Sequence, residues 1–405
     1  MKPISMRLAD LRTTIVAVPQ KRKYKSSWRS TYQGSTPHVA VLVELETDDG
    51  IVGLGEAPVV WGARPEATVA LIDAIRPLVV GADALCGDTL RRRLYAETGM
   101  AHLGMGATWA LSGIDCALWD ILGKATAQPL HRLWGGEWRL RSAFYGDIPP
   151  GDLREMADHA REWVDRGFKT LYLKVGFGAD LDVARVKAIR GAVGDGPLIR
   201  VDANQAWSPG AARTIIERLA EFGLEYVEQP TLASNLGEMA ALRRMIPVPI
   251  LAHEASLNVE TTLATITHQA ADALQLDPRF DAGFTGARTA ALMAEAAGLP
   301  VVTHTWGELG VATAAMLQLH AAHRNFVLDH QTYYWNLEDD VIAGGLMPWH
   351  GCELDVPTAP GIGVELDADR VAHFAGLYER EVRDRPRDAA PDDFYDRRYL
   401  IRPRT

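Results

Sequence analysis

The sequence predicts an α/β fold in which a barrel of repeated β/α units follows a smaller α+β domain. One observation is the length of 405 residues, which exceeds one ordinary domain and suits a barrel of about 250 residues beside a second domain. Another is a regular alternation of short β-like runs and amphipathic helical segments after Leu140. The last is the spacing of three acidic residues, which fall at the ends of consecutive runs.

The α+β domain is predicted to span residues 1–132. Val39–Glu46 is β-branched and apolar, Asp48–Gly50 is a turn signal, and Ile51–Gly55 resumes the extended pattern, so a hairpin is expected. Over residues 66–123 the apolar positions follow a helical repeat.

Residues 133–355 predict the barrel, because eight β-like runs alternate there with amphipathic segments. Helical spacing is clear in residues 153–164, where apolar side chains recur at i, i+3 and i+4. An open, doubly wound sheet gives similar local signals, but no glycine-rich dinucleotide fingerprint follows the first run. The predicted strands are Ser142–Tyr145, Thr170–Val175, Leu198–Asp202, Leu224–Glu228, Ile250–Glu254, Ala273–Leu276, Val301–His304 and Phe326–Asp329.

Composition and charge restrict the partners and the location of the protein. A net charge of -10 argues against a nucleic-acid partner, although a bound divalent cation can still attract an anionic substrate. The three cysteines stand apart from one another, so a reducing compartment is expected. The N-terminus lacks the apolar core of a signal peptide and no apolar run reaches membrane-spanning length, which predicts a cytoplasmic protein without a membrane partner.

Three acidic residues end three consecutive predicted strands. Asp202, Glu228 and Glu254 follow one another at intervals of 26 residues. Barrel enzymes carry their chemistry at the carboxyl ends of the strands, so these carboxylates are expected at one mouth. Because they repel one another unless a cation joins them, and because hard oxygen ligands suit Mg²⁺, we predict one magnesium ion per subunit. The alternative is that the three acids are solvated loop residues. Asn204 is predicted to contact the metal or the substrate, and the alternative is an ordinary turn residue.

A lysine and a histidine–aspartate pair end the predicted strands on either side of these acids. Alternation along Thr170–Val175 points Lys174 into the barrel, where an amine is costly unless it is paired or takes part in the chemistry. We predict an acid/base group with a pKa lowered near the metal; a salt bridge to a carboxylate is the alternative. Asp277 and His304 end neighbouring strands, and a carboxylate beside a histidine selects its tautomer and raises its basicity.

Proton-transferring groups on both sides of a magnesium site indicate removal of the proton next to a substrate carboxylate. Such a proton is weakly acidic, because its loss leaves a doubly charged enediolate. Mg²⁺ on the carboxylate oxygens stabilises that charge as it develops. A lysine or histidine base beside such a site is a recurring arrangement.

These residues and their surroundings make the sequence resemble the enolase superfamily, specifically its mandelate racemase subgroup, from about Arg7 to Phe374. The motifs that carry the resemblance are Ala107–Asp120 with Pro129, Leu133–Gly136, Lys174–Gly176, Val201–Asn204, Val227–Pro230 and Pro360–Gly363. The resemblance implies a modified (β/α)7β TIM-like barrel under an α+β cap, with a C-terminal segment, residues 356–405, that returns to the cap. The implied site has Asp202, Glu228 and Glu254 as Mg²⁺ ligands, Lys174 and the His304–Asp277 pair as acid/base groups, and Asp329 near the substrate carboxylate.

One position departs from the subgroup's pattern. The subgroup often has Lys-x-Lys on the second barrel strand, whereas here Tyr172 takes the first position. This phenol is expected to bind the substrate or to fill space. Trp306, two residues beyond His304, is predicted to line the wall of the substrate pocket; a core aromatic is the alternative.

Dehydrations of acid sugars predominate in the subgroup, so the resemblance implies a dehydratase that forms a 2-keto-3-deoxy acid from a polyhydroxy acid. Lys174 would take the α-proton, and His304 would protonate the departing hydroxyl; the opposite assignment is the alternative, because the choice depends on the stereochemistry of the substrate. The alternatives are a racemase or epimerase that uses both groups in turn, a catalytically idle relative with a binding or structural role, and a two-metal hydrolase, which would need more histidine ligands. Because family members commonly form symmetric oligomers, a homo-oligomer is expected.

Overall fold

The computed structural model describes residues 6–21, 37–59, 64–98, 105–305 and 307–384. Three strands near the N-terminus form an antiparallel sheet with the order β1-β2-β3. They are β1 (Leu8–Val18), β2 (His38–Thr47) and β3 (Val52–Ala57). A turn after Thr47 joins β2 to β3, so the predicted hairpin is confirmed.

Four helices follow this sheet, and the longest of them packs against it. They are α1 (Pro65–Val79), α2 (Gly87–Thr98), α3 (Met105–Ala125) and α4 (Leu130–Leu133). The contact between α3 and β3 depends on glycine, because a Cβ atom at Gly55 would lie 1.9 Å from the carbonyl oxygen of Gly113. A Cβ atom at Gly53 would lie 2.2 Å from the carbonyl oxygen of Ala117. Only strand residues without a side chain let the helix backbone come so close.

Most of the remaining chain consists of alternating strands and helices. Seven of these strands form a parallel sheet in which each strand pairs with the next along the chain. After β4 (Arg141–Ala143), these strands are β5 (Gly146–Ile148), β6 (Thr170–Lys174), β7 (Leu198–Asp202), β8 (Leu224–Glu228), β9 (Ile250–Ala252), β10 (Ala273–Leu276) and β11 (Val301–Thr303). The helices that follow them are α5 (Leu153–Asp165), α6 (Ala179–Val193), α7 (Pro209–Leu219), α8 (Leu236–Met245), α9 (Val259–Thr267), α10 (Phe284–Ala296) and α11 (Gly310–Ala322). The strand order never reverses, which excludes the doubly wound sheet and is typical of a barrel. In the described part of the chain, no helix is long and apolar enough to cross a membrane.

The first barrel strand begins later than predicted. The run predicted as Ser142–Tyr145 is divided, because β4 pairs with β13 (Glu353–Asp355), which in turn pairs with β12 (Trp349–His350), in a separate antiparallel sheet. The barrel strand is β5 instead. A Cβ atom at Gly146 would lie 2.5 Å from the ring of Trp163, so the chain can pass α5 here only with glycine. The pattern of apolar residues in the sequence cannot indicate such a close approach of two segments.

An irregular segment, residues 325–331, takes the eighth position of the ring, and the predicted strand Phe326–Asp329 is wrong. On one side of this segment, the amide of Tyr145 donates to the carbonyl of His330 at 3.0 Å. On the other side, the amide of Thr303 donates to ring atom Nδ1 of His330 at 3.1 Å. A side chain therefore takes the place that a regular strand would give to a backbone carbonyl.

The C-terminal segment returns to the N-terminal sheet, as the resemblance implied. Helix α12 (Ala368–Leu377) contacts β1. The buried carboxylate of Asp120, in α3, accepts from the amides of Leu54 at 2.9 Å and Ile362 at 2.8 Å. One side chain therefore connects a strand, a helix and the C-terminal segment. The domain boundaries at residues 132 and 355 stay predictions.

Candidate active site

Six side chains that the sequence analysis selected lie at one mouth of the barrel. Each is at the carboxyl end of a strand from β6 to β11 or within two residues of it. Because the strands are parallel, these ends meet at the same rim. In order around the ring they are Lys174, Asp202, Glu228, Glu254, Asp277 and His304, and we refer to them as the rim residues.

Two side chains of the neighbouring strand hold the carboxylate of Asp202. Oη of Tyr172 donates to Oδ2 of Asp202 at 2.6 Å, and Nζ of Lys174 donates to the same oxygen. The amide of Asn204 donates to the other oxygen, Oδ1, at 2.7 Å. Tyr172 therefore orients a rim carboxylate, a contact that the sequence analysis missed; its contact with substrate stays a prediction.

The charges around Lys174 favour its protonated form. Burial opposes the ammonium charge, but the carboxylates of Asp202 and Glu228 outweigh burial and raise the pKa of Lys174. The salt bridge that the sequence analysis left open as an alternative is therefore present. The expected fall in the pKa of Lys174 concerns the site with magnesium bound, so it stays a prediction.

Glu228 and Glu254 are buried among like charges. Burial and the charge of Asp202 raise the pKa of Glu228 well above its usual value. Burial also raises the pKa of Glu254, and His253 offsets this effect only in part. Nδ1 of His253 lies 3.2 Å from Oε1 of Glu228 and 3.7 Å from Oε2 of Glu254. A positive charge placed between the two carboxylates would stabilise their ionised forms.

The oxygen atoms of the rim fit a divalent cation by their chemistry. Oε2 of Glu254 and Oδ1 of Asn204 are buried and accept no hydrogen bond from the described residues, although burial makes an unpaired polar atom costly. Carboxylate and amide oxygens are typical ligands of hard cations. Among the described side chains, no three histidines, cysteines, aspartates or glutamates are arranged to hold a metal ion; Lys174 contacts one oxygen of Asp202 instead. The ligand roles stay predictions.

Asp277 and His304 are in contact, and a third residue joins them. Nδ1 of His304 lies 2.9 Å from Oδ2 of Asp277. Arg279 donates from Nη2 to Oδ2 of Asp277 at 2.7 Å and from Nε to Oδ1 at 2.8 Å. Burial raises the pKa of Asp277, but the charge of Arg279 and the bond from His304 outweigh burial and hold this pKa below its usual value. The Asp277 carboxylate is therefore ionised at neutral pH.

The imidazole of His304 is uncharged at neutral pH. Burial lowers the pKa of His304 well below its ordinary value, and His253, with its ring centroid 4.0 Å away, lowers it further. The hydrogen bond and charge of Asp277 raise the pKa of His304, but this pKa stays below its ordinary value. Since an ionised carboxylate only accepts hydrogen bonds, Nδ1 of His304 carries the ring proton.

Asp329 does not reach the rim, so its expected place near the substrate carboxylate is wrong. Oδ2 of Asp329 accepts from Oγ1 of Thr170 at 2.6 Å. Thr170 is the first residue of β6, at the end opposite Lys174. The irregular course of residues 325–331 leaves Asp329 at this far end. Trp306, predicted to line the pocket, lies outside the described residues.

Sequence reasoning missed several side chains near the rim. Oε1 of Gln331 accepts from the amide of Thr305 at 3.1 Å, and Oη of Tyr333 donates to Oδ2 of Asp147, in β5, at 2.9 Å. Gln331 and Tyr333 follow no strand pattern, so alternation could not indicate where their side chains point. Arg279 did have a signal, because an arginine two residues beyond a buried aspartate can reach back to that carboxylate.

Most of the chain matches two known domain families. Residues 12–135 match "Mandelate racemase / muconate lactonizing enzyme, N-terminal domain", and residues 155–370 match "Enolase C-terminal domain-like". The chain belongs to the mandelate racemase and muconate lactonizing enzyme family. Its resemblance to the enolase superfamily and the implied barrel with a cap are thereby confirmed.

Relatives within this family have different activities. The D-galactarolactone cycloisomerase of Agrobacterium fabrum is 31% identical over 349 residues, 82% of this chain and 90% of that protein. The arabinonate dehydratase of Saccharolobus solfataricus is 28% identical over 336 residues, 82% of this chain and 89% of that protein. The L-Ala-D/L-Glu epimerase of Bacillus subtilis is 28% identical over 362 residues, 89% of this chain and 97% of that protein. A substrate-liganded structure of this epimerase has a TM-score of 0.80 and 26% identity, and the match covers 89% of this chain and 99% of that chain.

Proposed function

We propose that this chain is an enzyme that removes the proton next to a substrate carboxylate and completes the dehydration of a polyhydroxy acid. The order of the rim residues carries this proposal. Around the ring, Lys174 precedes the three carboxylates that follow β7, β8 and β9, and His304 comes after them. A substrate carboxylate bound at the middle of the rim would therefore have one proton-transferring group on each side of its α-carbon.

Asp202, Glu228 and Glu254 would hold Mg²⁺, with Oδ1 of Asn204 beside them. Bound there, Mg²⁺ would stabilise the negative charge that develops on the substrate carboxylate as the α-proton leaves. The chain's own contacts orient the ligand set, because Tyr172 and the amide of Asn204 each bind one oxygen of Asp202. The buried oxygens that accept no hydrogen bond from the described residues support this role.

Dehydration requires one flanking group to take the α-proton and the other to protonate the hydroxyl that leaves the adjacent carbon. Water and a 2-keto-3-deoxy acid are then the products. A polyhydroxy substrate is supported by side chains near the rim that hydrogen-bond readily to hydroxyl groups, namely Asn204, Gln331 and Tyr333. The similarity to an arabinonate dehydratase supports the same reaction class.

Epimerisation is the second candidate, and the presence of both Lys174 and His304 supports it equally. One group would remove the α-proton from one face, and the other would return a proton to the opposite face. The similarity to an L-Ala-D/L-Glu epimerase supports this reaction class. A catalytically idle binding protein would have no need to keep all six rim residues.

The test follows the α-hydrogen by proton NMR in D₂O with Mg²⁺. The panel contains acid sugars, smaller 2-hydroxy acids, acid-sugar lactones and dipeptides. We expect a 2-keto acid to form from an acid sugar, and we expect Lys174→Ala and His304→Ala to abolish its formation. Lys187→Ala, a change of an exposed lysine on α6, is the matched control and should retain activity.

Each result has one consequence. Exchange of the α-hydrogen without loss of water would replace dehydration by epimerisation. Turnover that survives both rim substitutions would contradict the assigned roles of Lys174 and His304. No exchange with any class of compound would contradict an enzyme of this kind and favour the binding protein.

A further inference from the structure

Arg279 holds both oxygens of Asp277 in a fork. Nε binds Oδ1 at 2.8 Å and Nη2 binds Oδ2 at 2.7 Å, and the backbone amide of Arg279 also donates to Oδ1, at 2.9 Å. The planar guanidinium matches a carboxylate in this geometry, which lysine cannot reproduce. The side chains of both residues are nearly or fully buried. Asp277 is therefore held in one orientation with its charge balanced.

The same guanidinium also binds the loop that carries His304. Nη1 of Arg279 donates to the carbonyl oxygen of Gly307 at 2.9 Å. Gly307 has a φ of +115°, and a Cβ atom there would lie 2.7 Å from the ring of His38 in β2. The loop is thus confined between Arg279 and the N-terminal sheet, so Arg279 connects the residues after β10 to those after β11.

Four charged or aromatic residues that face His304 follow two strands, β9 and β10. Asp277 and Arg279 follow β10, His253 follows β9, and the ring of Phe280 lies 6.2 Å from that of His304 between centroids. An aspartate without a counter-charge would favour imidazolium. The guanidinium, 2.7 Å from Oδ2 of Asp277, opposes that effect in part, whereas the hydrogen bond from Nδ1 remains.

We propose that Arg279 is a positioning residue that locks Asp277 and thereby holds His304 as the uncharged Nδ1–H tautomer, ready to accept the α-proton of the substrate. This inference rests on the proposed function. The α C–H bond breaks, its electron pair stays on the substrate as the enediolate, and the proton goes to Nε2 of His304. Nδ1 keeps its proton and its bond to Asp277. The sequence left two assignments open, and this is the one in which His304 rather than Lys174 takes the α-proton.

The experiment measures the charge and tautomer of His304 directly by NMR of the full chain with labelled histidine. A His304→Gln variant assigns the signal. In the wild-type protein we expect an uncharged ring with Nδ1 protonated between about pH 6 and 9. Arg279→Met should raise the titration midpoint of His304 by about one to two pH units, because Asp277 loses its counter-charge. Arg279→Lys keeps a charge without the fork, so it should keep a low midpoint but show both tautomers.

The matched control is Arg190→Met. Arg190 is a partly buried arginine whose guanidinium donates to backbone carbonyls of Phe222, Gly194 and Pro197, remote from the rim. Its loss should leave the His304 titration unchanged. An unchanged midpoint in folded Arg279→Met, or an equal shift in Arg190→Met, would overturn the proposal. If Arg279→Met does not fold, Arg279→Lys decides, and a single wild-type tautomer there would overturn it.

A second measurement uses any compound that exchanges its α-hydrogen. Arg279→Met should lower kcat at neutral pH much more than it changes KM, and activity should recover as the pH rises through the new midpoint. A role limited to folding would give no such recovery. The NMR titration needs no substrate, so the failure of every compound would contradict the proposed function without changing the result for Arg279.

Discussion

Tyr172 and Lys174 donate to the same oxygen atom, Oδ2 of Asp202. The two residues are two positions apart on β6, so alternation points both side chains into the barrel. The neutral phenol thus makes a direct contact with a rim carboxylate at the place where the subgroup often has a second lysine. Asp202 is therefore oriented by one charged and one uncharged donor.

Tyr172→Phe removes the uncharged donor and should destabilise the protein by about 2 kcal/mol, the usual contribution of a hydrogen bond to a charged group. Urea unfolding measures this difference. The matched control is Tyr226→Phe, because the hydroxyl of Tyr226 is buried and makes no hydrogen bond with the described residues. Equal effects of the two substitutions would show that the contact with Asp202 contributes nothing specific.

Magnesium is expected to stabilise the folded protein by binding the rim carboxylates, by about 2.7 kcal/mol when its concentration is about 100 times Kd. Thermal unfolding with Mg²⁺ and with a chelator measures the effect. Asp202→Asn, Glu228→Gln and Glu254→Gln should each reduce or abolish it. A stabilisation that persists in all three variants would place the cation elsewhere.

Asp329→Asn should leave substrate turnover and the magnesium effect unchanged, because Asp329 lies at the far end of β6 beside Thr170. A modest loss of stability of about 1 to 2 kcal/mol is expected from the weakened hydrogen bond with Thr170. Kinetics and urea unfolding of this variant test both statements. A selective rise in KM would return Asp329 to the substrate site.

Glu56 should make the stability of the protein depend on pH. Burial raises the pKa of this carboxyl to about 7, and the amides of Leu309 and Ala312 offset burial only in part. Between its unfolded pKa and about 7 the folded protein holds a proton that the unfolded chain has lost. The contribution of Glu56 is therefore present at lower pH and is lost as the pH rises to about 7, by about 3 kcal/mol in all.

Urea unfolding across this pH range compares the wild-type protein with Glu56→Gln. The stability of the wild type relative to Glu56→Gln should fall as the pH rises and then stay level above about pH 7. Glu44→Gln, at a partly exposed position in the paired strand β2, is the matched control and should keep the wild-type pH dependence. A constant difference between wild type and Glu56→Gln would contradict the raised pKa.

Local periodicity was sufficient to predict the rim. Strand alternation points every second side chain inward, and a parallel ladder brings the carboxyl ends of successive strands to one edge. Regular spacing alone therefore indicated that Asp202, Glu228 and Glu254 lie together, and the same rule selected Lys174 and His304. The prediction failed at Phe326–Asp329, because the ring of His330 takes a backbone position that no periodic rule describes.

The sequence by itself determined the fold class, the order of the strands and the set of side chains at the rim, because these follow from periods of two and of about 3.6 residues along the chain. Only the tertiary structure decided the contacts of Tyr172, the fork of Arg279 on Asp277 and the far location of Asp329. It also showed that neighbouring carboxylates raise the pKa of Lys174, whereas burial lowers the pKa of His304. Charge states and hydrogen-bond partners depend on burial and on distances between segments far apart in the chain, and local patterns carry neither quantity.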